Sequence, residues 1–370
     1  MTHTIQGREL PDSGQPPRGL ADRAADVAIR GLRRLLGEVP PGPPPPLPPQ
    51  PRFAPHHDSQ WFGSSHYGIM IPDLPAPHRF LTCAAVLGMP GLKIADVDHA
   101  VGADGPRHTA VLVHGTAAAT GGAASAWSMK REMQLAPDGS HIGFGQALEF
   151  SGAYPDFRLR SRRAGFEVDL ELTATGEHTW FALGPAYRHV SLLTRYRGQV
   201  VHEGQVQAVS GLCTWEHFRA ISAHLGHNRL LPRALKLPCD FFTYQVINLD
   251  ADTQLLLTHV EAFGRPLVTA LYERRAGHGS RRLAGRLRFQ VLAAQADAAM
   301  APDGRPMTLP QRFRWVLEGP ERRLDLEAEV DTPMLWGLAA GYVGGYRWAG
   351  TRDGRPTGGR GYIEYIDQRD

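Results

Sequence analysis

Acidic and phenolic side chains are set among apolar residues between Ser210 and Glu261, and these groups are well suited to moving a proton. A carboxyl group in a poorly solvated setting has a raised pKa and stays protonated near neutral pH, so it can act as a general acid. Asp240 and Glu216 are the candidates for that acid or base, and Tyr244 is the candidate for polarising a carbonyl. The chemistry would be proton donation to an alkene or enone, followed by water capture, ring closure or proton loss.

Eight further residues are candidates for holding a ligand beside these groups. Glutamine and histidine would orient the ligand, aromatic rings would form the walls, and one histidine and one glutamate would act as a coupled pair. The alternative for each aromatic residue is ordinary core packing, and for each polar residue a satisfied hydrogen-bond network. The candidate ligand-binding residues are Trp215, His217, Phe242, Gln245, His259, Glu261, Trp336 and Tyr346.

These residues lie on three segments that alternate with a period near two and are rich in β-branched and aromatic residues. The pattern predicts strands over Leu212 to Phe218, Asp240 to Leu249 and Gln254 to Glu261. A polar link of four residues, 250–253, joins the last two, so we expect an antiparallel hairpin. A helix starting at Glu216 and running to His224 is the alternative at the end of the first segment.

The same stretch resembles the centre of the AttH/CrtC superfamily of lipocalin-like proteins, which contains carotenoid 1,2-hydratases and fungal decalin-forming Diels–Alderases. The resemblance spans roughly Trp61 to Asp370 in order and spacing. It also includes two C-terminal glycine- and tyrosine-rich motifs, at 341–346 and 359–364. The matching residues of the central stretch are Gly211, Glu216, Asp240, Phe241, Phe242, Thr243 and Gln245.

The resemblance implies a lipocalin-like fold and an enzyme of hydratase, isomerase or cyclase type that acts on a lipophilic terpenoid, sterol-like or polyketide substrate. The residues alone predict only a pocket, at a barrel mouth or at the seam between two barrels. Neither proton transfer nor cyclisation in such a pocket needs a metal or an organic cofactor, so we expect no cofactor.

Short β-rich segments separated by Gly, Pro and Asp at intervals of 8 to 20 residues follow one another along the chain. This spacing predicts an all-β protein with antiparallel barrel or sandwich domains. A length of 370 residues with 42% hydrophobic residues suits two such domains and a tail. We expect the boundaries to be 1–51 for the tail, 52–209 for the first β domain and 210–370 for the second.

The tail has three parts of different composition. Residues 1–18 are polar and rich in Gly and Pro, which predicts disorder. Residues 19–37 show apolar positions at helical spacing with arginines between them, and nine of the twelve residues from Pro40 to Pro51 are proline, which predicts a stiff linker. A basic amphipathic helix either docks on its own domain or makes peripheral contact with a membrane.

Composition and motif content disfavour several other functions. A net charge of +3 with scattered arginines makes nucleic acid a poor partner. Three cysteines without C-x-x-C spacing fit a reducing compartment, and the 17 histidines lack the spacing of a metal site. The sequence carries none of the usual serine-hydrolase, zinc-protease, P-loop or dinucleotide motifs. Without an apparent signal segment or a long apolar run, we expect a soluble, cytoplasmic protein.

Two other functions remain open from the sequence. A non-catalytic carrier of lipophilic molecules would need the apolar walls but not the acids, so Asp240→Asn with Glu216→Gln would leave binding nearly intact. A β-sandwich that recognises sugars through exposed tryptophan and tyrosine is the third alternative. The sequence does not decide the oligomeric state.

Overall fold

The computed structural model describes residues 20–369, which form one α-helix, 23 β-strands and three short 3₁₀ turns. The helix α1 spans Leu20–Leu36. The strands are β1 (Ser64–Ile71), β2 (Leu81–Leu87), β3 (Thr109–Thr116), β4 (Ala124–Ser128), β5 (Met133–Leu135), β6 (His141–Phe144), β7 (Leu148–Ala153), β8 (Asp156–Arg163), β9 (Phe166–Leu183), β10 (Tyr187–His202), β11 (Gln205–Ala220), β12 (Cys239–Asn248), β13 (Thr253–Ala262), β14 (Arg265–Arg275), β15 (Gly279–Arg282), β16 (Arg286–Ala294), β17 (Ala299–Met300), β18 (Pro306–Met307), β19 (Pro310–Glu318), β20 (Arg323–Val330), β21 (Leu335–Leu338), β22 (Gly341–Arg352) and β23 (Arg355–Asp367).

The first sheet is a near-closed antiparallel barrel of eleven strands. Its order is β4-β3-β2-β1-β11-β10-β9-β8-β7-β6-β5, so every two paired strands are consecutive in sequence except β1 and β11. That pairing sets Gly68 opposite Glu216 and Ile69 opposite Trp215. The first strand of the barrel thereby lies beside the strand that carries a candidate acid.

The second sheet is a half-barrel with the order β15-β14-β13-β12-β23-β22-β20-β19-β16, and β21 pairs with β22. Its strands are also antiparallel, and the last strand, β23, returns to pair with β12, which sets Glu364 opposite Tyr244. The predicted hairpin of β12 and β13 is confirmed, with Thr243 opposite His259. A separate two-stranded ribbon joins β17 and β18.

The all-β prediction and the two antiparallel β units are therefore confirmed. The alternative of a helix from Glu216 to His224 is wrong, because β11 continues to Ala220 with hydrogen-bonded neighbours on both sides. Pairing with β1 and β10 at once outweighs the weak helical preference of Phe218 to Ile221. The predicted domain boundary at residue 210 falls within β11.

Apolar side chains form a core inside each sheet and a third cluster between the sheets. Leu159 and Trp215 belong to the core of the first sheet, and Phe313 and Trp315 to that of the second. The cluster between the sheets includes Met70 from β1 together with apolar and tyrosine residues of β12 and β23. The two sheets thus share a buried seam, and the strand faces that meet there decide which polar groups lie close together.

The helix α1 confirms the predicted N-terminal helix, and it packs on β14 and β10, one strand from each sheet. The residues after it form a strap that links the sheets, because Glu38 bridges to Ala182 of β9 and Gly42 bridges to Arg282 of β15. Among the described residues, no helix has the length and apolar character needed to cross a bilayer. The segment predicted to be disordered, 1–18, lies outside the described residues.

Candidate functional site

Glu216 and Tyr244 meet at the seam, although they belong to different sheets. Glu216 projects from β11 of the first sheet and is 2% exposed, and Tyr244 projects from β12 of the second. The Tyr244 hydroxyl donates to Glu216 Oε1 at 2.6 Å. Two of the three predicted catalytic residues are therefore in direct contact, and their hydrogen bond joins the two sheets.

A histidine and a second tyrosine extend this contact towards the surface. His189 Nε2 lies 3.3 Å from Glu216 Oε2, and the Tyr187 hydroxyl lies 2.9 Å from His189 Nδ1. Both residues come from β10, which pairs with β11. The His189 side chain is 16% exposed, so a hydrogen-bonded path leads from half-buried groups to the buried Glu216 carboxyl.

A second carboxyl group lies at the same seam. Glu364 of β23 is 5% exposed and accepts a hydrogen bond from the Tyr362 hydroxyl at Oε1, at 3.0 Å. The Tyr362 hydroxyl also lies 3.1 Å from Thr82 Oγ1, on β2 of the first sheet. Glu364 stands opposite Tyr244 in the register of β12 and β23, which puts both side chains on the seam face of the second sheet.

The two carboxyl groups have pKa values that are shifted in opposite directions. Burial, and then the nearby Glu216 carboxylate, raise the pKa of Glu364 well above its usual value. Burial also opposes ionisation of Glu216, but hydrogen bonds from His189 and Tyr244 outweigh it, so the pKa of Glu216 is lowered. The surroundings therefore favour the protonated form of Glu364 and the ionised form of Glu216.

A buried arginine supplies positive charge near Glu216. Arg274 is fully buried, and its guanidinium bonds Gln254 Oε1 of its own sheet at 3.1 Å and Ser191 Oγ of the first sheet at 2.9 Å. Burial lowers the pKa of Arg274, and the neighbouring Tyr244 and Glu216 oppose that shift. A guanidinium remains positively charged in proteins despite burial. Its charge therefore favours the ionised form of the neighbouring Glu216 carboxyl group.

His66 is a neutral imidazole beside this cluster. Burial, and then the neighbouring His189, lower the pKa of His66 to about 4. Its Nδ1 lies 2.9 Å from the Ala85 carbonyl oxygen, which can only accept, so Nδ1 carries the proton and Nε2 is an acceptor. A Cβ on Gly68 would lie 2.6 Å from that Nε2 atom. Glycine at position 68, opposite Glu216, therefore leaves room for the ring.

Half-buried aromatic rings surround the exposed side of the cluster. The Phe181 ring lies 4.7 Å from His189 and 5.4 Å from Tyr244, measured between ring centroids. Phe218 packs 5.7 Å from His189 on the other side. These rings, with the half-buried Tyr187, form an apolar rim around the side chains that lead to Glu216.

The other predicted residues of the first sheet lie in its core. Trp215 stacks on Phe157 with ring centroids 4.5 Å apart. His217 Nε2 lies 3.0 Å from the Ala54 carbonyl oxygen, and burial lowers the pKa of His217 to about 3. Both residues alternate with Glu216 along β11, so their side chains point into the first barrel, away from the seam. Their contacts are those of core packing.

The predicted residues of the second sheet lie mainly inside the half-barrel. Gln245 accepts a hydrogen bond from Trp315 Nε1 at 2.8 Å, and Tyr346 is fully buried.

The predicted pair of His259 and Glu261 is in contact, because His259 Nε2 lies 3.0 Å from Glu261 Oε1. The Trp336 ring packs 5.1 Å from another aromatic ring, that of Tyr342. Phe242 is half-buried and packs against both the second core and the seam cluster.

Asp240 is placed with Glu261 rather than with Glu216. It is half-buried, and burial followed by the charge of Glu261 raises its pKa. Its Oδ1 atom has no hydrogen-bond partner among the described residues. The register of β12 against β13 shifts between Cys239 and Phe241, so the alternation that aligned Asp240 with Tyr244 is interrupted at this position.

The residues that sequence reasoning missed are Glu364, Tyr362, His189 and Arg274. Alternation within β23 sets Tyr362 and Glu364 on one face, which is the same signal that identified Tyr244 on β12. For His189 and Arg274 no local signal exists, because their role depends on contacts with strands of the other sheet or with distant residues.

An open groove of about 660 Å³ lies elsewhere, on the outer face of β19, β20 and β22. Its charged side chains neutralise one another, as in the pair of Arg314 with Asp325 and that of Arg347 with Glu329. Within residues 20–369, no group of three or more His, Cys, Asp or Glu is arranged to hold a metal ion. The seam cluster is therefore the strongest candidate site.

Solved structures share this fold over most of the chain. An AttH-like protein from Nitrosomonas europaea superposes with a TM-score of 0.56 at 14% identity, covering 88% of this chain and 100% of that one. Kievitone hydratase from Nectria haematococca gives a TM-score of 0.52 at 11% identity, covering 90% and 98%. CghA gives 0.48 at 9%, covering 91% and 97%. The first two of these structures confirm, for the fold, the predicted resemblance to AttH-type lipocalin-like proteins.

Sequence comparison identifies the family of the chain. A search of the curated proteins finds no significant match. A family model matches residues 84–370, which include the seam residues Glu216, Tyr244 and Glu364. The chain belongs to DUF6670, a family of unknown function.

Proposed function

We propose that the seam cluster carries out cofactor-independent acid–base chemistry, of hydratase, isomerase or cyclase type, on a lipophilic terpenoid, sterol-like or polyketide substrate. The observation that carries the proposal is that two buried carboxyl groups lie at one seam in different surroundings. Glu216 contacts Tyr244 and His189, whereas Glu364 contacts Tyr362, and these surroundings shift the two pKa values in opposite directions. Environments that separate the pKa values of two carboxyl groups are the usual way in which a protein assigns one as acid and one as base.

Glu364 is the proton donor in this proposal. Its protonated carboxyl group transfers a proton to a carbon of an alkene, or to the oxygen of an enone, and becomes a carboxylate while positive charge develops on the substrate. Glu216, already a carboxylate, stabilises that charge. It then takes a proton from the attacking water in a hydration, or from an adjacent carbon in an isomerisation.

His189 connects the base to the outside of the cluster. It contacts Glu216 through Nε2 and Tyr187 through Nδ1, so it can pass on the proton that Glu216 has taken. Tyr244 holds the Glu216 carboxyl in place by its hydrogen bond. Glu364 is regenerated when it takes back a proton, so the cycle needs no oxidant or reductant.

The surroundings of these acids support a lipophilic substrate. The half-buried rings of Phe181, Phe218 and Phe242 would contact an apolar molecule and exclude water from the two carboxyl groups. Kievitone hydratase, which shares the fold, is named for a hydration reaction. This likeness supports acid–base chemistry of hydratase, isomerase or cyclase type for this chain, and the mass of the product distinguishes hydration from cyclisation.

The test compares Glu364→Gln and Glu216→Gln with the native protein. Glutamine keeps the size of each side chain and an acceptor for the bond from Tyr362 or Tyr244, so both variants should fold. Lipids extracted from the purified protein and identified by mass spectrometry supply the substrate. Each substitution should lower turnover by about 10²–10⁴-fold while ligand binding is retained, because one proton-transfer group is lost.

The matched control is Glu261→Gln, which removes a buried acid that contacts His259 and lies outside the seam. This variant should keep its turnover. Retained turnover in Glu364→Gln would overturn the proposal. If the native protein binds the extracted ligand without converting it, and all variants bind that ligand with equal affinity, the protein is instead a carrier of lipophilic molecules.

A further inference from the structure

The outward side of helix α1 carries positive charge that no side chain in the described part of the chain neutralises. Arg23, Arg30 and Arg34 are exposed, and none of them forms an ion pair or a hydrogen bond with another described residue. They recur at spacings of seven and four, which places them along one side of a helix. Some exposed arginines of the second sheet are by contrast paired, as Arg312 is with Glu327 and Arg347 with Glu329.

Apolar side chains are interspersed with these arginines. Val27 is 60% exposed and Leu35 is 45% exposed, although both belong to a helix that buries Ile29 against the second sheet. Arg23, Val27, Arg30, Arg34 and Leu35 together are called here the helix face. An exposed face that mixes arginine with aliphatic residues is suited to the interface between water and lipid, where the arginines meet headgroups and the aliphatic groups meet acyl chains.

The described acidic residue and the anchoring arginine of the helix contact β14. Among the side chains described from Arg23 onwards, the acidic residue of α1 is Asp26, and it pairs with Arg265 of β14 at 3.4 Å. Arg33 donates to the carbonyl oxygens of Leu267 and Pro266, at 2.9 and 3.1 Å. Asp26 and Arg33 thus bind β14, whereas the exposed arginines of the helix give its outward side a positive charge.

A second group of exposed apolar residues adjoins the start of the helix. Phe263 is exposed in the β13–β14 turn, two residues before the Arg265 that pairs with Asp26. Its amide donates to the carbonyl oxygen of Pro238, which follows the exposed Leu235 and Leu237 of the connection between the sheets. These exposed apolar residues come from a different part of the chain and adjoin the beginning of β14, the strand that pairs with the helix through Asp26.

We propose that the helix face docks the protein on the surface of an anionic lipid bilayer. Positive charge without partners matches the negative headgroups, and the exposed aliphatic and aromatic groups match the upper part of the acyl region. Because α1 packs on both sheets and precedes the strap at the seam, a protein docked in this way would hold its seam close to the source of lipophilic molecules. Vesicle binding needs no substrate and is independent of the proposed reaction.

The experiment measures binding of the full-length protein to sedimented phosphatidylcholine vesicles, with and without one third phosphatidylglycerol. The native protein should bind the anionic vesicles and release on addition of salt, and should bind pure phosphatidylcholine vesicles far more weakly. The triple variant Arg23→Gln, Arg30→Gln, Arg34→Gln should lose on the order of 100-fold in affinity. Val27→Ser with Leu35→Ser should also weaken binding, because less apolar surface enters the bilayer.

The matched control removes the same charge elsewhere, through Arg229→Gln, Arg275→Gln and Arg355→Gln, all of which are exposed. The control should bind as the native protein does, and circular dichroism should show that both triple variants fold. The proposal would be overturned if the two triple variants lost equal amounts of vesicle affinity, or if the native protein did not bind anionic vesicles. Self-association that only the helix-face variant abolishes would assign the face to a second copy of the chain and would also overturn it.

Discussion

The Tyr244 hydroxyl is one of the groups that join the two sheets at the candidate site, and a phenylalanine at this position removes that hydroxyl alone. In Tyr244→Phe the Glu216 carboxyl loses its shortest hydrogen bond, at 2.6 Å, while the ring stays in place. We expect the free energy of unfolding to fall by about 1–3 kcal/mol, because a buried charged acceptor is left with fewer partners. Urea unfolding followed by fluorescence measures this change.

The control for this substitution is Tyr346→Phe. Tyr346 is also fully buried, but its hydroxyl has no hydrogen-bond partner among the described residues. Its removal should leave the stability unchanged or slightly raised. If both substitutions cost the same free energy, the hydrogen bond to Glu216 does not stabilise the seam.

At the residue scale the sequence predicted part of the candidate site. Glu216 and Tyr244 were predicted from polar residues at alternate positions in apolar strands, and the structure brings them into contact. Asp240 was predicted by the same rule, yet it lies beside Glu261 because of the register shift next to it. Glu364 carries the same signal within β23 and was missed, since periodicity identifies a face without saying what the face meets.

At the scale of elements, the strap between α1 and the Pro-rich segment depends on a close approach of two glycines. Gly37 has a φ of +70°, and a Cβ there would lie 2.3 Å from the Gly184 nitrogen. The Gly37 carbonyl oxygen also accepts from the Leu183 amide at 2.9 Å. The neighbouring atoms belong to the backbone, which cannot shift to make room for a Cβ atom. This contact therefore requires glycine at both positions, 37 and 184.

Gly37→Ala should therefore lower the free energy of unfolding by more than about 1 kcal/mol and loosen the strap over the seam. Faster hydrogen exchange at the Leu183 amide and faster proteolysis within 40–51 would report the loosening. Gly31→Ala is the control, because a Cβ at Gly31 meets nothing within 4 Å, and alanine should stabilise the helix by about 0.5–1 kcal/mol. Similar effects of the two substitutions would contradict the role given to Gly37.

Most elements were predictable from local pattern. The hairpin of β12 and β13, the short strands of both halves and the amphipathic helix all follow from periodicity and turn residues. The assignment of each strand to one of the two sheets could not be predicted. β11 and β12 are separated by 18 residues but belong to different sheets, and the Thr82 contact with Tyr362 joins residues 280 apart. Only the closure of both sheets brings those residues together.

For the whole molecule, the fully buried Arg274 is the clearest connection across the seam. Its guanidinium bonds Ser191 of the first sheet and Gln254 of the second. Arg274→Met should lower the free energy of unfolding by about 2–5 kcal/mol, because two buried polar groups and the Glu216 charge lose a partner. Calorimetry should show whether the two sheets still unfold in one transition.

The neighbouring Arg275 provides the control. It is exposed on the same strand, and Arg275→Met should change the stability by no more than about 0.5 kcal/mol. A loss of stability in Arg274→Met no greater than that of Arg275→Met would show that the seam does not depend on the buried guanidinium.

The proposed function depends above all on the protonation of Glu364, which infrared difference spectroscopy measures without a known substrate. The native protein should show, at neutral pH, a carbonyl stretching band of a buried carboxylic acid that disappears in Glu364→Gln and remains in Glu261→Gln. Glu216→Gln removes the neighbouring charge that helps to raise the pKa of Glu364, so the pH at which the band is lost should fall. A spectrum without this band at neutral pH, or a band unchanged in Glu364→Gln, would contradict the assignment of Glu364 as the acid.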